Sequence, residues 1–159
     1  MFRRAMYFTT SKGLIQKAHM DGSNLTTFVS GLNSPAGVAI HHSSQRLYWA
    51  EWGGSKIQYA SLDDRQAIKV SDTRESLKPW GVALTDQRLY WGLKEGKSIT
   101  SSALIGGHIR RMYNGSTPIT HLAVKDPNIP SNRENHCHRS GCDGVCVLNP
   151  TSFRCLRKN

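Results

Sequence analysis

Short segments of this chain alternate apolar and polar residues, and polar or glycine-rich turns separate one segment from the next. In Lys56–Ser61, we expect Ile57, Tyr59 and Ser61 to face one way and the residues between them the other, because successive strand residues point to opposite sides. Gly37–His41 is a more continuous apolar run, which favours a buried strand. The pattern predicts an all-β fold of short antiparallel strands.

Three landmarks recur along the chain with a period in the low forties. The first is an aromatic pair, at Tyr7-Phe8, Tyr48-Trp49 and Tyr90-Trp91, with 41 and 42 residues from tyrosine to tyrosine. The second is an apolar residue before a turn, at Met20, Leu62 and Leu104. The third is the residue that opens an apolar run, at Gly37, Gly81 and His121. A repeat of this length built from short strands is typical of β-propeller blades.

Each repeat predicts up to four strands. The middle repeat predicts strands at Gly37–His41, Arg46–Glu51, Lys56–Ser61 and Ala67–Ser71, and the third at Gly81–Thr85, Arg88–Leu93, Ser98–Ala103 and His108–Tyr113. The first repeat begins at its aromatic pair and lacks the innermost strand, and one last strand is expected at Thr120–Lys125. The prediction is a partial propeller over residues 1–126, with blades 5–34, 35–78 and 79–126, and then a proline-containing linker over 127–136.

The aromatic motif is predicted to be structural. Neighbouring aromatic residues on a strand point to opposite faces, so that one contacts each adjacent blade. The residues assigned to this role are Tyr7, Phe8, Tyr48, Trp49, Glu51, Trp52, Tyr90 and Trp91. The fourth position of the motif, which is Thr10, Glu51 or Leu93 in the three repeats, is expected to hydrogen-bond across to the next blade where it is acidic or carries a hydroxyl.

All four cysteines lie in residues 137–159, at Cys137, Cys142, Cys146 and Cys155. A short segment with this density of cysteine favours a disulfide-bonded module, and the spacing alone permits three pairings. His136 and His138 raise the alternative of a zinc site, but the segment lacks the paired C-x2-C of a zinc knuckle. Disulfide bonds are therefore the preferred interpretation.

Charge and hydropathy exclude two classes of partner. The net charge is +10, but the basic residues are scattered, whereas nucleic-acid binding would need them focused on one element among aromatic residues. No apolar run approaches the ~18 residues of a membrane span, and no signal peptide follows Met1. We predict no nucleic-acid partner, and membrane attachment only through a segment absent from this chain.

The motifs resemble the YWTD, or class B, repeats of the low-density lipoprotein receptor family. That family has Tyr-Trp-Thr-Asp followed by Trp-Gly and a strand that ends in Leu-Asp-Gly, and this chain has Tyr48-Trp49-Ala50-Glu51-Trp52-Gly53 and later Leu62-Asp63. The resemblance implies the C-terminal half of a six-bladed propeller and a truncated EGF-like module over 137–159. It also implies the pairs Cys137–Cys146 and Cys142–Cys155, and no calcium site.

Half of a propeller ring would leave two apolar blade faces uncovered. The sequence is therefore expected to be a fragment of a longer protein. Alternatives are a short isoform and the pairing of two half-propellers into one ring.

In function, the resemblance implies a non-enzymatic, extracellular module that binds protein ligands in a cell-surface receptor of the endocytic or Wnt co-receptor type. The full-length parent is expected to be a single-pass membrane protein. A structural protein of the matrix or basement membrane is the alternative. Two sequons, at Asn24 and Asn114, predict N-glycosylation and agree with a secreted context.

An enzyme is a further alternative, because some propellers are hydrolases with a metal at the central channel. Candidate channel residues are His41, His42, Thr85, Asp86, Lys125 and Asp126. However, no carboxylate cluster recurs from blade to blade, and no nucleophile has an evident base. We predict no catalytic residue, no metal and no cofactor.

Overall fold

The computed structural model describes residues 5–64, 66, 68–72, 78–119, 121–124, 145–148 and 153–156, and of 68–72, 145–148 and 153–156 only the backbone. These residues form strands and contain no helix. The strands are β1 (Ala5–Thr10), β2 (Leu14–His19), β3 (Thr26–Val29), β4 (Pro35–His41), β5 (Arg46–Glu51), β6 (Lys56–Ser61), β7 (Ile68–Asp72), β8 (Pro79–Leu84), β9 (Arg88–Leu93), β10 (Ser98–Ala103), β11 (Arg110–Asn114), β12 (Val145–Leu148) and β13 (Phe153–Leu156). The predicted all-β fold class is confirmed.

The strands form antiparallel meanders, in which each strand pairs with the next along the chain. The sheets are β1-β2-β3, β4-β5-β6-β7, β8-β9-β10-β11 and β12-β13. Among the described residues, the first sheet has three strands and the second and third sheets have four. The first three sheets are therefore successive blades of a partial propeller, and we number them as blades one to three.

The turn signals in the sequence place the middle strands of blades two and three correctly, whereas the outer strands β7 and β11 begin and end one or two residues later than predicted. Strands β5, β6, β9 and β10 have the predicted bounds. The innermost strands begin two residues before the predicted starts, at Pro35 and Pro79, because each continues past an irregularity in register, between Pro35 and Val38 and between Pro79 and Val82. Proline lacks an N–H donor and is tolerated at the first residue of a strand, so these positions can begin one.

The aromatic pair faces two ways, as predicted. Tyr48 belongs to an apolar cluster with Val82 and Trp91 of blade three, whereas Trp49 belongs to a second cluster with Ile15 and Phe28 of blade one. Both side chains of the pair are fully buried. Because truncating a buried aromatic residue typically costs about 3–5 kcal/mol, these two clusters supply much of the cohesion between blades.

Glycine allows the innermost strands to approach each other closely. A Cβ atom added at Gly37 of β4 would lie 2.7 Å from the Trp80 carbonyl oxygen and 2.8 Å from the Val82 nitrogen, both in β8. A Cβ atom at Gly81 would lie 3.3 Å from the Leu122 nitrogen, in the segment after blade three. The glycines that open the apolar runs therefore mark the crowded inner side of the blades.

Segment 121–124 was expected to form a strand and does not within the residues described. It lies beside β8, in the place of another inner strand. An inner strand pairs with the second strand of its own blade, and the described residues include no such partner for this segment.

Most of the predicted linker and cysteine module lies outside the described residues. This applies to residues 127–136 and to Cys137 and Cys142. The hairpin β12-β13 places the backbone of Cys146 opposite that of Cys155. The disulfide pairing and the domain bounds stay predictions.

Candidate ligand-binding face

The inner strands converge at one end of the blades on a cavity of about 370 Å³. The residues that line it include Thr9, Pro35, Gly37, Trp80, Gly81 and His121. At this end β1, β5 and β9 finish and β4 and β8 begin. We call this end the loop face and define it by loops 11–13, 30–34, 52–55 and 94–97 and by residues 78–80. Concave sites of this size, flanked by aromatic and charged groups, are the usual location of ligand binding.

Two tryptophans and two lysines alternate beside the mouth of the cavity. The rings of Trp52 and Trp80 meet edge to face, with centroids 6.3 Å apart. Lys78 Nζ lies 4.3 Å from the centroid of Trp52, and Lys94 Nζ lies 4.1 Å from that of Trp80. Glu95 Oε1 lies 3.5 Å from Lys78 Nζ and is the carboxylate of the group. We call these five residues the Trp–Lys cluster.

The Trp–Lys cluster joins two blades. Trp52 follows β5 of blade two, Trp80 belongs to β8 of blade three, and Lys94 and Glu95 follow β9. A lysine over the face of a tryptophan is attracted by the ring quadrupole, while its methylene stem covers apolar surface. The cluster therefore holds two ammonium groups in place at the rim of the cavity.

Glu51 holds the loop that carries Trp52. Its side chain is 1% exposed, and Oε2 accepts a hydrogen bond of 2.9 Å from the backbone N–H of Asn33. Glu51 Oε1 lies 3.4 Å from Lys56 Nζ. The backbone N–H groups of Trp52 and Gly53 donate to the carbonyls of Ser34 and Asn33. The fourth position of the motif thus ties loop 52–55 to the linker that enters its own blade.

The cross-blade hydrogen bond predicted for the fourth position is made by the third. The Thr9 hydroxyl donates to the carbonyl of Ala36 in β4 of the next blade, at 2.8 Å. The hydroxyl of Thr10 instead reaches the carbonyl of Leu14 in its own blade, at 3.5 Å. Side-chain alternation explains the correction, because residues one apart on a strand face opposite sides.

The opposite end of the strands carries a second contact between blades. His41 of β4 lies with Nε2 3.6 Å from Asp86 Oδ1, in the turn between β8 and β9. The Ser43 hydroxyl donates to the same carboxylate oxygen at 2.7 Å, and the Ser44 hydroxyl lies 2.6 Å from His41 Nδ1. The hydrogen bonds within residues 41–44 are local turn contacts. The contacts of His41 and Ser43 with Asp86, in contrast, link the turns of two blades.

Tyr48 is fully buried in the apolar interface between blades two and three. Burial raises the pKa of Tyr48 above its ordinary value of 10.0, and the positive charge of Arg46 acts in the opposite direction. No described group meets its hydroxyl in good hydrogen-bond geometry, although Arg46 lies close enough to lower the pKa of Tyr48. The Arg46 guanidinium also lies 4.6 Å from the ring centroid of Tyr59.

The other residues predicted from the sequence are spread over the blades and do not form a single site. Tyr7 makes an edge-to-face contact with Phe28 at 5.3 Å, Phe8 and Tyr90 are half-buried, and Trp91 is buried. Asn24 and Asn114 are both exposed, in the turn before β3 and at the end of β11. Their exposure is compatible with glycosylation.

Those channel candidates named for an enzyme that the structure describes do not line the cavity. His41, His42, Thr85 and Asp86 lie at the far ends of the inner strands, and Lys125 and Asp126 lie outside the described residues. Within the described part of the chain, no three or more His, Cys, Asp or Glu residues are grouped so as to hold a metal ion. No helix there is long and apolar enough to cross a membrane.

Sequence reasoning missed Trp80, Lys78 and Lys94. A usable signal was present, because the lysines stand directly before an inner strand and directly after an aromatic motif strand, where loops of adjacent blades meet. What the sequence alone did not indicate is that both lysines lie over tryptophan rings.

Comparisons with known proteins agree with this architecture. No family model matches the chain. The vitellogenin receptor of Solenopsis invicta is 31% identical over 144 residues, which cover 85% of this chain and 8% of that receptor. Low-density lipoprotein receptor-related protein 5 of Homo sapiens is 24% identical over 146 residues, which cover 91% of this chain and 9% of that protein. The chain thus spans less than a tenth of the length of these curated relatives.

Similar solved structures establish the fold alone. A chain in the crystal structure of a nidogen/laminin complex has a TM-score of 0.65 and 24% identity, over 74% of this chain and 46% of that chain. Virginiamycin B lyase from Staphylococcus aureus has a TM-score of 0.58 and 16% identity, over 70% of this chain and 38% of that chain. The first is a β-propeller, which confirms the predicted partial propeller. The repeated aromatic motif and the similarity to the receptor relatives show that this chain carries YWTD-type, class B repeats of the low-density lipoprotein receptor family.

Proposed function

We propose that this chain is the ligand-binding propeller segment of an extracellular protein related to the low-density lipoprotein receptors, and that it is not an enzyme. The observation that carries the proposal is the cavity of about 370 Å³ at the loop face, flanked by the Trp–Lys cluster. Aromatic residues are enriched in surfaces that bind other proteins, and concave sites are the usual location of binding. The sequence relatives are named as a receptor and a receptor-related protein, which supports the same interpretation.

Within this proposal the parent protein is a single-pass receptor at the cell surface, of the endocytic or Wnt co-receptor type. Residues 137–159 are expected to belong to a disulfide-bonded, EGF-like module, and Asn24 and Asn114 to carry N-linked glycans. Such modifications belong to an oxidising, extracellular compartment.

A matrix protein is the second candidate. The structural similarity to a chain from a nidogen/laminin complex favours it, although at 24% identity this similarity concerns the fold. A receptor and a matrix protein differ in how they are retained outside the cell, since only the receptor is held by a lipid-embedded segment.

Two experiments test the proposal. Intact cells expressing the native gene are labelled with a membrane-impermeant biotin reagent, and their membranes are then washed at alkaline pH. A receptor is labelled and stays in the membrane, whereas a matrix protein is labelled and is removed. A product that is never labelled contradicts the extracellular location.

The second experiment screens purified extracellular proteins for binding to the immobilised chain, with Trp80→Ala as the matched variant. Trp80 lines the cavity and contacts Trp52, so its removal is expected to weaken a true ligand at least tenfold. A ligand that binds the variant equally well would place recognition elsewhere and contradict the role of the loop face.

A further inference from the structure

The lysines of the described residues gather at the loop face. Five of these seven lysines lie there, namely Lys12, Lys56, Lys78, Lys94 and Lys97, whereas Lys17 belongs to β2 and Lys69 to β7. Among the residues whose side chains the structure describes, the carboxylates at this end are Glu51 and Glu95, so five lysines face two carboxylates. Glu51 is buried against Lys56, which leaves it unavailable to a ligand.

The opposite end of the blades has a different character. Its turns carry Asp21, Asp63, Asp64 and Asp86. The arginines that begin strands there include Arg46, which lies over the ring of Tyr59, and Arg88, whose guanidinium donates to the Ser101 hydroxyl at 2.8 Å. The described lysines are therefore concentrated at the loop face, whereas the exposed Arg110 and Arg111 lie at the start of β11, toward the opposite end.

Three of these lysines have no carboxylate partner. Among the residues that the structure describes, Lys12, Lys94 and Lys97 form no ion pair, whereas Lys78 pairs with Glu95 at 3.5 Å. Lys94 is held over Trp80, which restricts the ammonium group without neutralising it. A cation fixed in advance loses less entropy when it binds an anion than a freely moving one.

The carboxylate of Glu95 lies beside Lys78, where we expect a ligand carboxylate to bind. Glu95 is 53% exposed, and Lys78 is itself stacked on Trp52. A carboxylate from outside that approached Lys78 and Lys94 would take up the same contact and replace the internal one. The pair in the chain is thus a weak, displaceable substitute for a ligand carboxylate.

We propose that the loop face recognises an acidic segment of a protein partner, with carboxylates at Lys78 and Lys94 and an apolar side chain in the cavity. This inference rests on the proposed function and names the chemistry of its ligand. A sulfated glycan is disfavoured because it offers nothing apolar to the cavity.

The test uses the whole chain and a short fluorescein-labelled peptide of Asp, Glu and Gly with one central Leu. Binding is measured by fluorescence anisotropy at low and at near-physiological salt. The control peptide has Asn and Gln in place of the acids. We expect the acidic peptide to bind at least tenfold more tightly than the control, and the difference to shrink as salt screens the charges.

Variants locate the contact. Lys94→Gln and Lys78→Gln are expected to weaken binding about threefold to fivefold each, as removal of one ion pair does. Glu95→Gln is expected to tighten binding about twofold, because the internal competitor is gone. Lys17→Gln is the matched control, since Lys17 lies 5.6 Å from the ring centroid of Tyr7 and outside the loop face. It is expected to leave affinity unchanged.

Three results would overturn the inference. The first is equal binding of the acidic and neutral peptides. The second is an equal loss in Lys17→Gln and Lys94→Gln, which would mean attraction to net charge alone. The third is a heparin oligosaccharide that binds more tightly than the peptide and displaces it. The gain expected in Glu95→Gln cannot arise from misfolding, and surface labelling of cells decides the receptor proposal independently of all these outcomes.

Discussion

Gly37 is a position at which the propeller leaves no room for a side chain. The backbone of β8 would lie within 2.9 Å of a Cβ atom there, and backbone cannot move aside as the end of a side chain can. The same reasoning explains why the sequence repeats a glycine at Gly81, at the start of the next apolar run. At His121 the run has no glycine, and there the neighbouring inner strand is absent from the described residues.

Gly37→Ala is expected to destabilise the chain by about 1–3 kcal/mol, because overpacking forces β4 away from β8. The free energy of unfolding is measured by urea denaturation. Gly54→Ala is the matched control, since its Cβ would meet the end of the flexible Lys56 side chain, at 3.0 Å, and the Glu51 side chain at 3.4 Å or more. Equal losses in the two variants would show that the inner strands are not closely packed.

Tyr48→Phe is expected to reduce the loss of stability at alkaline pH. Burial raises the pKa of Tyr48 in the folded state, so its contribution is complete below the unfolded value of about 10 and is lost as pH rises through the folded value. The wild type therefore loses stability above about pH 10. Tyr113→Phe, at a 54% exposed residue, should leave the profile unchanged.

The outcome is read from thermal unfolding midpoints between neutral and strongly alkaline pH. Near pH 7, Tyr48→Phe should be close to neutral, because the hydroxyl has no hydrogen bond of good geometry to lose. An alkaline profile identical to that of the wild type would contradict the assignment of this tyrosine to the apolar interface.

At the level of strands and loops, two neighbouring positions of the aromatic motif make different structural contacts. Its third position can reach the next blade, as Thr9 does to Ala36, and its fourth position anchors the loop that follows, as Glu51 does to Asn33. Glu51 thereby links the structural repeat to the loop face, because loop 52–55 begins with Trp52.

Glu51→Ala is expected to cost about 2–4 kcal/mol, because it leaves the Asn33 N–H and Lys56 without their buried acceptor. Amide hydrogen exchange should also accelerate at Asn33 and in loop 52–55. Glu95→Ala removes an exposed carboxylate of the same loop face and should change stability by less than about 0.5 kcal/mol. Unchanged exchange at Asn33 in Glu51→Ala would contradict the anchoring role.

The sequence predicted strands more reliably than it predicted the site. Bounds such as Lys56–Ser61 follow from turn residues that are local in the chain, so local patterns suffice. The early starts at Pro35 and Pro79 depend on irregular pairing with a neighbouring strand, which no local pattern records. The Trp–Lys cluster depends on how two blades sit together, and for that reason Trp80 and Lys94 were not identified from sequence.

In the whole molecule, two apolar clusters join three blades and leave the outer faces of the first and third less covered. Phe8 and Tyr90 are half-buried, whereas Trp49 and Tyr48 at the inner interfaces are fully buried. Further blades of a longer parent protein would cover these faces, as the resemblance to a six-bladed ring implies. Pairing of two half-propellers stays a prediction, which sedimentation velocity of the isolated chain can test.

The central claim is that the loop face, and not the opposite end of the blades, binds a protein ligand. Hydrogen–deuterium exchange of the chain with and without a partner from the binding screen tests it most directly. We predict protection in loops 30–34, 52–55 and 94–97 and none in the far turns 42–45 and 85–87. Protection confined to the far turns, or absent from both ends, would contradict the account.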